Sequence, residues 1–270
     1  MMAIKKPFIV SFYSYKGGTG RTTAAANVAA ILAKGGKKVV CIDMDMEGPG
    51  LNVVFNVPED SITESLQSYF IENSSFNEKL LLNLKETLKR LENWSNNLYL
   101  IPASASFTKI IDYSNGNRMV KLINRLKLSI NELCSPDFLI LDSPNGYGDL
   151  TALSMYASDF LVILFRYSKQ HLLGTVRVSE FTKRYNIPFL AVASCVPPDK
   201  KNRKQKWVAL IKSNLGLDCD PVEIADDDEL KWLERVVLFN DNPKQFKALK
   251  GYNKIDEVLL NNIKISSESK

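Results

Sequence analysis

The chain has 270 residues, of which 45% are hydrophobic and 24% are charged. These fractions are ordinary for a soluble globular protein rather than for a disordered or membrane protein. The formal net charge of +5 at pH 7 is compatible with an anionic partner but does not identify one. No stretch approaches the roughly 20 apolar residues of a membrane-spanning helix, and no signal-like apolar core follows the N-terminus. We therefore expect a cytoplasmic protein with a single domain over residues 1–270.

Cysteine and histidine usage argues against a metal centre built on soft or imidazole ligands. The four cysteines, Cys41, Cys134, Cys195 and Cys219, are widely separated and form no Cys-x-x-Cys pair, so we expect reduced thiols in the core. The one histidine, His171, is predicted to lie in the first turn of a helix as a packing or solvent-facing residue.

The stretch from Tyr15 to Thr23 has the composition of a phosphate-binding loop. It reads Tyr-Lys-Gly-Gly-Thr-Gly-Arg-Thr-Thr and lies between a β-rich run, 8–13, and a helical pattern from Thr22 to Lys34. Glycines at such a strand-to-helix turn let the main chain approach a polyphosphate, whose charge the amides at the helix start then meet. A glycine-rich turn with incidental cations is the alternative, and the agreement of loop, strand, helix and later carboxylates argues against it.

A loop that begins Lys-Gly-Gly resembles the deviant Walker A loop of the ParA/MinD family of P-loop ATPases. Arg21 stands where the family usually has a second lysine, so the loop is similar to a variant branch. The resemblance implies an ATP-driven switch that dimerises face to face, with Lys16 reaching the nucleotide of the other subunit. It also implies an α/β fold, a mostly parallel sheet with helices on both faces. The predicted nucleotide-binding residues are Lys16, Gly17, Gly18, Thr19, Gly20, Arg21, Thr22 and Thr23.

Two aspartates follow the second predicted strand. Asp43 and Asp45 come after the apolar run Val39–Ile42, and a spacing of two places both side chains on one face of an extended segment. An isolated aspartate at a strand end is often a turn former or a helix cap. By the resemblance, Asp45 positions and polarises the attacking water, and Asp43 supports the magnesium shell.

A third carboxylate has the character of a Walker B aspartate. The buried run Phe138–Leu141 ends on Asp142, which such a strand delivers to magnesium or to its bound water. The following Ser143–Gly146 is similar to the family's Pro-Ala-Gly but not identical to it. The predicted metal-binding set is Thr22, Asp43 and Asp142, and the predicted cofactors are ATP and Mg²⁺.

Arginine at position 21 is expected to affect hydrolysis more than binding. Its guanidinium is always charged and forks onto phosphate oxygens, yet it is bulkier than the lysine ammonium and spreads its charge over a plane. Slow turnover is therefore one expectation, and the sequence leaves the rate of hydrolysis open. The predicted catalytic residues are Lys16, Asp45 and Arg21.

Residues 61–96 read as an insertion of two helices, because Leu80, Leu84, Leu88 and Leu91 recur three and four apart among charged residues. Ordinary packing is favoured there over a lid or partner surface. Farther along, Ser194 and Cys195 stand where many family members have an adenine-contacting Asn, so adenine specificity is left open.

A cationic segment near Trp207 is the predicted contact for nonspecific DNA or an acidic protein. The alternative is a solvated loop. Helix residues Lys169, Arg177, Lys183 and Arg184 add to the basic character, whereas the last helix, 255–265, lacks the cationic and aromatic face of a membrane anchor. The cations of the segment are Lys200, Lys201, Arg203, Lys204 and Lys206.

These observations predict a protein that binds Mg²⁺–ATP, forms a nucleotide-dependent homodimer and acts as a switch in partitioning or positioning, with DNA as one candidate partner. The alternative is a slow or inactive nucleotide-sensing interaction module in a signalling or defence assembly. An ATP-dependent enzyme related to amidoligases ranks last, since no second-substrate pocket is recognisable in the sequence.

Overall fold

The computed structural model describes residues 6–72, 76–88, 91, 94, 96–105, 116–199, 202–233 and 235–268. Within them a sheet of eight strands has the spatial order β3-β4-β2-β5-β1-β6-β7-β8. All neighbours pair parallel except β3 and β4. The strands are β1 Phe8–Tyr13, β2 Val39–Asp43, β3 Leu82–Asn83, β4 Leu98–Ile101, β5 Phe138–Asp142, β6 Phe160–Phe165, β7 Phe189–Val196 and β8 Val222–Ala225.

Helices connect the parallel strands and cover the sheet. They are α1 Arg21–Lys34, α2 Leu51–Phe55, α3 Leu66–Glu72, α4 Leu84–Thr87, α5 Gly116–Cys134, α6 Asp149–Tyr156, α7 Lys169–Tyr185, α8 Arg203–Leu215, α9 Asp228–Leu233 and α10 Leu249–Glu268.

Alternate residues of β2 and β5 enter two separate cores. In β5, Phe138 and Ile140 pack with α1 and α10, whereas Leu139 and Leu141 pack with α3 and α5. This period-two division is expected of a parallel sheet that helices cover on both faces. The predicted α/β fold is confirmed.

The helix that follows the glycine-rich loop lies close against the sheet because its buried side chains are small. Ala24, Ala25, Ala29 and Ala30 are fully buried in α1. Short side chains leave room for α10 to pack on the same face of the sheet, where Tyr252, Ile255 and Leu259 join the same core.

The segment 61–96 differs from the two regular helices expected there. It contains α3 and the short α4, and the leucines at 80, 84, 88 and 91 are buried as their spacing suggests. Between the helices, β3 pairs antiparallel with the edge of β4. The Asn83 side chain then accepts a hydrogen bond from the Lys85 amide and starts α4. The leucine spacing predicted a continuous helix over residues 80–91. The pairing of β3 and the cap at Asn83 interrupt it.

Other boundaries also shift. Helix α6 follows β5 without having been predicted, and α10 begins at Leu249 rather than at 255. Asp228 and Glu229 lie in the first turn of α9, where carboxylates meet the positive end of the helix dipole. His171 lies in the first turn of α7, as expected.

All four cysteines are free, but only Cys41 is buried, and Cys219 is exposed. The expectation of core thiols was therefore wrong for Cys219. Among the described helices, none combines the length and the apolar character that crossing a membrane requires.

Candidate nucleotide-binding site

The loop between β1 and α1 has the backbone that the glycine pattern predicts. Gly18 and Gly20 have φ angles of 73° and 71°, in the left-handed region that glycine enters at little cost. Gly20 is the N-cap of α1, and its carbonyl accepts from the Ala24 amide. The free amides of the first turn of α1 therefore face the loop, as in a phosphate-binding arrangement.

The segment after β5 braces this loop. The Tyr13 hydroxyl donates to the Gly146 carbonyl at 2.8 Å, and the Gly146 amide donates to the Tyr15 carbonyl at 3.1 Å. On the other side, a Cβ added to Gly174 of α7 would lie 2.0 Å from the Tyr15 ring. Tyr15 therefore packs directly on the α7 backbone, and only glycine at position 174 allows this approach.

The sheet register brings two aspartates together beside the loop. Asp43 of β2 is the register partner of Asp142 of β5, which is also paired with Phe12 of β1. Because the carboxyl ends of parallel strands share one edge, both carboxylates lie where β1 enters the loop. Both residues are fully buried. The structure thus brings together the strand ends that the sequence singled out.

Asp43 uses its carboxylate to organise the segment that follows it. One oxygen accepts from the Asp45 amide at 3.1 Å, and the other accepts from the amides of Gly50 and Leu51, both at 3.0 Å. Burial and the nearby Asp142 raise the pKa of Asp43 to about 7, against these hydrogen bonds. Asp43 thereby fixes the path of residues 45–51, which places Asp45.

Arg21 turns towards the acidic residues. Its Nε donates to Asp142 Oδ1 at 2.6 Å, and its Nη2 donates to Asp45 Oδ2 at 3.0 Å. Its Nη1 donates to Asn145 Oδ1 at 2.7 Å. Burial lowers the pKa of Arg21, but Asp142 and Asp45 outweigh burial and raise it. Arg21 is therefore a permanent buried cation between the two carboxylates.

The chemistry of the acidic residues suits a hard divalent cation. Burial raises the pKa of Asp142, while Arg21 acts in the opposite direction. The second carboxylate oxygen of Asp142 is buried and makes no hydrogen bond to a described residue. Thr22, whose hydroxyl is the expected ligand, lies beside Gly50, since a Cβ added there would approach Thr22 Cγ2 to 3.1 Å. Carboxylate and hydroxyl oxygens are the donors that Mg²⁺ prefers, so these residues fit a magnesium ion.

Lys16 lies on the exposed side of the loop with Gly17 and Gly18, whereas Thr19 is buried. The Lys16 side chain makes no hydrogen bond or ion pair within the described part of the chain. Burial lowers the pKa of His171, and the charges of Arg166 and Lys16 lower it further. Thr23 is half-buried on α1.

Two side chains of the site were not predicted. Arg166, the first residue after β6, donates through Nη2 to the Gly18 carbonyl. Asn145 contacts Arg21 and also accepts from the Ser14 hydroxyl at 3.1 Å. Arg166 follows a buried strand directly and lies at the same sheet edge as the loop. This position could have predicted that Arg166 belongs to the site. Nothing in the sequence indicated the direction of the Asn145 side chain.

A cavity of about 330 Å³ lies beside the loop on the side of β7 and β8. Gly18, Thr23 and Arg166 line it from the loop side, and Ser194, Cys195 and Tyr252 line it from the other side. It therefore adjoins the loop and reaches the end of β7.

One cation of the segment predicted to contact DNA or an acidic protein forms an ion pair within the chain. Lys204 pairs with Glu223 at 2.6 Å, and the Tyr167 hydroxyl donates to the same carboxylate at 2.6 Å. Trp207 stacks on Tyr167 with ring centroids 6.4 Å apart. Arg203 and Lys206 are exposed. Lys200 and Lys201 lie outside the described residues.

Comparison with known proteins agrees with this geometry. The AAA_31 family model, described as an AAA domain, matches residues 8–188, more than half of the chain. The chain belongs to the AAA_31 family. Among relatives of this AAA_31 protein, the virulence plasmid ParA family protein pGP5-D of Chlamydia trachomatis is 29% identical over 213 residues, covering 75% of this chain and 74% of its own. The chain is of the ParA/MinD type of P-loop ATPases.

Solved structures share the fold of this AAA_31 protein. The septum site-determining protein MinD of Pyrococcus horikoshii OT3, complexed with Mg-ADP, superposes with a TM-score of 0.68 at 18% identity, covering 94% of this chain and 96% of its own. A plasmid partition protein from Borrelia burgdorferi superposes with a TM-score of 0.62 at 22% identity, covering 96% of this chain and 100% of its own. Sequence identities this low show that the folds are similar and nothing more.

Proposed function

We propose that this protein binds Mg²⁺–ATP at the loop between β1 and α1, dimerises with nucleotide and works as an ATP-dependent switch in partitioning or positioning. One observation carries the proposal. Arg21, Asp45 and Asp142 meet within hydrogen-bond distance at the start of α1, beside a loop with the backbone of a phosphate site. The names of the ParA, plasmid partition and MinD relatives support the cellular role.

In this proposal each residue of the site has a defined task. The amides of residues 17–23 and the Arg21 guanidinium hold the phosphates. Thr22 and Asp142 hold the magnesium ion, which when bound neutralises phosphate charge. Asp43 supports this shell indirectly by holding residues 45–51 in place. Asp45 orients and polarises the attacking water. Catalysis of this type consists mostly of positioning and charge stabilisation.

The exposed Lys16 supports the dimer part of the proposal. Lys16 is exposed on the loop, where a second subunit facing this one brings its nucleotide within reach. Arg166 lies against the same loop and adds positive charge to that face. Such a face attracts a second, nucleotide-loaded copy of the chain, because each copy presents bound phosphate charge.

Contact with DNA is a separate part of the proposal. Exposed cations on neighbouring helices support it: Lys169, Arg177, Lys183 and Arg184 on α7, and Arg203 and Lys206 on α8. Trp207 is engaged with Tyr167 and is not assigned a role in base stacking. Phosphate contacts release counterions, so retention on DNA should decline as salt is raised. Retention that does not change with salt would remove this part of the proposal.

The contacts of Arg21 favour one alternative, a nucleotide-sensing module with little turnover. A guanidinium paired with both Asp45 and Asp142 engages the groups that hydrolysis needs. The two functions differ in phosphate release. We expect purified protein to release phosphate from ATP faster than the Asp45→Ala variant, with and without DNA. The exposed Asp60→Ala serves as the matched control. A rate equal to that of Asp45→Ala would rule out the ATPase and favour the sensing module.

A further inference from the structure

Asn145 lies between the phosphate loop and the Arg21 guanidinium. Its Oδ1 accepts two hydrogen bonds, one from Arg21 Nη1 at 2.7 Å and one from the Ser14 hydroxyl at 3.1 Å. Its Nδ2 lies 3.5 Å from the position of a Cβ built on Gly17. One side chain thus connects the strand end before the loop, the loop glycines and the first residue of α1.

The contact with Asn145 completes the engagement of Arg21. The guanidinium donates through Nε to Asp142 and through Nη1 to Asn145. Its Nη2 donates to Asp45 and, at 3.4 Å, to the Thr22 hydroxyl. The Ser14 hydroxyl fixes the position of the accepting amide oxygen, so the guanidinium plane is held at three points. A guanidinium fixed in this way keeps its N–H groups directed at the carboxylates of Asp45 and Asp142.

A polyphosphate on the loop needs the same guanidinium. Arg21 is the first residue of α1, and in the proposed function its charge is directed to phosphate oxygens. A guanidinium donating to Asp142, Asp45 and Asn145 has to give up at least part of that set to fork onto phosphate. Arg21 therefore has two competing sets of partners, and contacts made only in the first set oppose nucleotide binding.

We propose that Asn145 is a positioning residue that holds Arg21 on the carboxylates of Asp45 and Asp142 and thereby sets the affinity for nucleotide. This inference rests on the proposed Mg²⁺–ATP site. Asn145 acts through Arg21, and the transfer of the guanidinium from Asn145 and the carboxylates to phosphate accompanies binding. Asn145 itself is exposed, so replacing its side chain leaves the buried core intact.

The sign of the Asn145→Ala effect distinguishes this role from an ordinary ligand contact. Loss of a contact that only the protein without nucleotide makes should tighten binding, whereas loss of a phosphate contact should weaken it. Loss of a partly exposed hydrogen bond to a charged group, such as the one between Asn145 and Arg21, should change the affinity for nucleotide about fivefold. The same loss should lower the melting temperature without nucleotide by about 2–4 °C.

The test is calorimetric titration of the full chain with AMPPNP and Mg²⁺. We expect Asn145→Ala to bind about fivefold more tightly than wild type. In an Arg21→Lys background, which removes the fork, Asn145→Ala should have no further effect. The exposed Asn253→Ala on α10 is the matched control, and thermal melts verify folding.

The outcomes separate the inference from the function on which it rests. Equal or weaker binding by Asn145→Ala, with clear binding by wild type, would overturn the inference alone. An equal gain in the Arg21→Lys background would also overturn it, because the effect would then not pass through the guanidinium. Failure of the wild-type chain to bind the analogue at all would overturn the proposed function and the inference together.

Discussion

Arg21 and Asp142 are 121 residues apart in the chain and form a buried ion pair, with 2.6 Å between Arg21 Nε and Asp142 Oδ1. The pair joins the first residue of α1 to the last residue of β5. Both side chains are almost completely removed from water. Burying either charge without its partner is costly, so the pair ties the phosphate loop to the centre of the sheet.

Removing the cation should therefore destabilise the fold. We expect Arg21→Met to lower the free energy of unfolding by about 3–5 kcal/mol, because Asp142 is left charged and buried. Urea denaturation measures the loss. Adding Asp142→Asn to Arg21→Met should recover a large part of it, and the exposed Arg125→Met should change little. A loss that persists unchanged in the double variant would show that the ion pair is not its cause.

Glycine at position 174 should be required for the loop to hold its shape. A methyl group there would overlap the Tyr15 ring, since the added Cβ would lie 2.0 Å from ring atoms. We expect Gly174→Ala to cost about 1–3 kcal/mol and to weaken AMPPNP binding, because Tyr15 directly precedes Lys16. Thermal melts and nucleotide titration measure the two effects.

The matched glycine is Gly116 at the start of α5, where no described atom lies within 4 Å of an added Cβ. Gly116→Ala should be neutral or slightly stabilising. If the cost at position 174 is unchanged in a Tyr15→Ala background, the Tyr15 contact is not its origin.

Lys16 should control self-association. We expect the wild-type chain to double its mass when Mg²⁺ and AMPPNP are added, and Lys16→Ala to remain a monomer while still binding nucleotide. Light scattering after gel filtration measures the mass, and the exposed Lys121→Ala on α5 is the control. A Lys16→Ala variant that dimerises like wild type would rule out the proposed contact between Lys16 and the nucleotide of the other subunit.

Asp256 on α10 should make stability depend on pH. Burial raises its pKa from 3.8 to about 6, and its Oδ1 is buried without a hydrogen bond to a described residue. Between about pH 4 and 6 the folded protein then binds more protons at this residue than the unfolded chain does, so its contribution to stability falls as pH rises.

Asp256→Asn should remove that dependence. After allowance for solvent screening of this half-buried group, we expect a gain of about 1 kcal/mol above pH 6 and no gain near pH 4. Urea denaturation across this range measures it. Glu257→Gln, which affects an exposed carboxylate paired with Lys254, should show no gain of this kind. A gain at Asp256 that is equal at pH 4 and pH 7 would contradict the assigned pKa.

The sequence predicted those parts of the site that depend on local pattern. Strands β1, β2 and β5 are short apolar runs, and parallel pairing brings Asp43 and Asp142 to one edge whatever the helices do. Gly18 and Gly20 of the loop adopt left-handed angles that few other residues adopt. The fold class and the location of the site followed from these features.

The direction of individual side chains was not predictable from local pattern. Arg21 turns towards Asp142 because of a contact across 121 residues, and Asn145 meets Arg21 because the pairing of β1 with β5 brings their ends together. The leucines from 80 to 91 show the same limit, since their spacing predicted burial correctly while pairing with β4 determined the backbone.

The magnesium dependence of ATP binding tests whether the loop and Asp142 form a Mg²⁺–ATP site. We predict that the wild-type chain binds one ATP per chain with Mg²⁺ and at least about tenfold more weakly when the metal is chelated, a difference near 1.4 kcal/mol. Asp142→Asn should bind equally weakly with and without metal. The absence of wild-type binding, or an unchanged metal dependence in Asp142→Asn, would contradict the account.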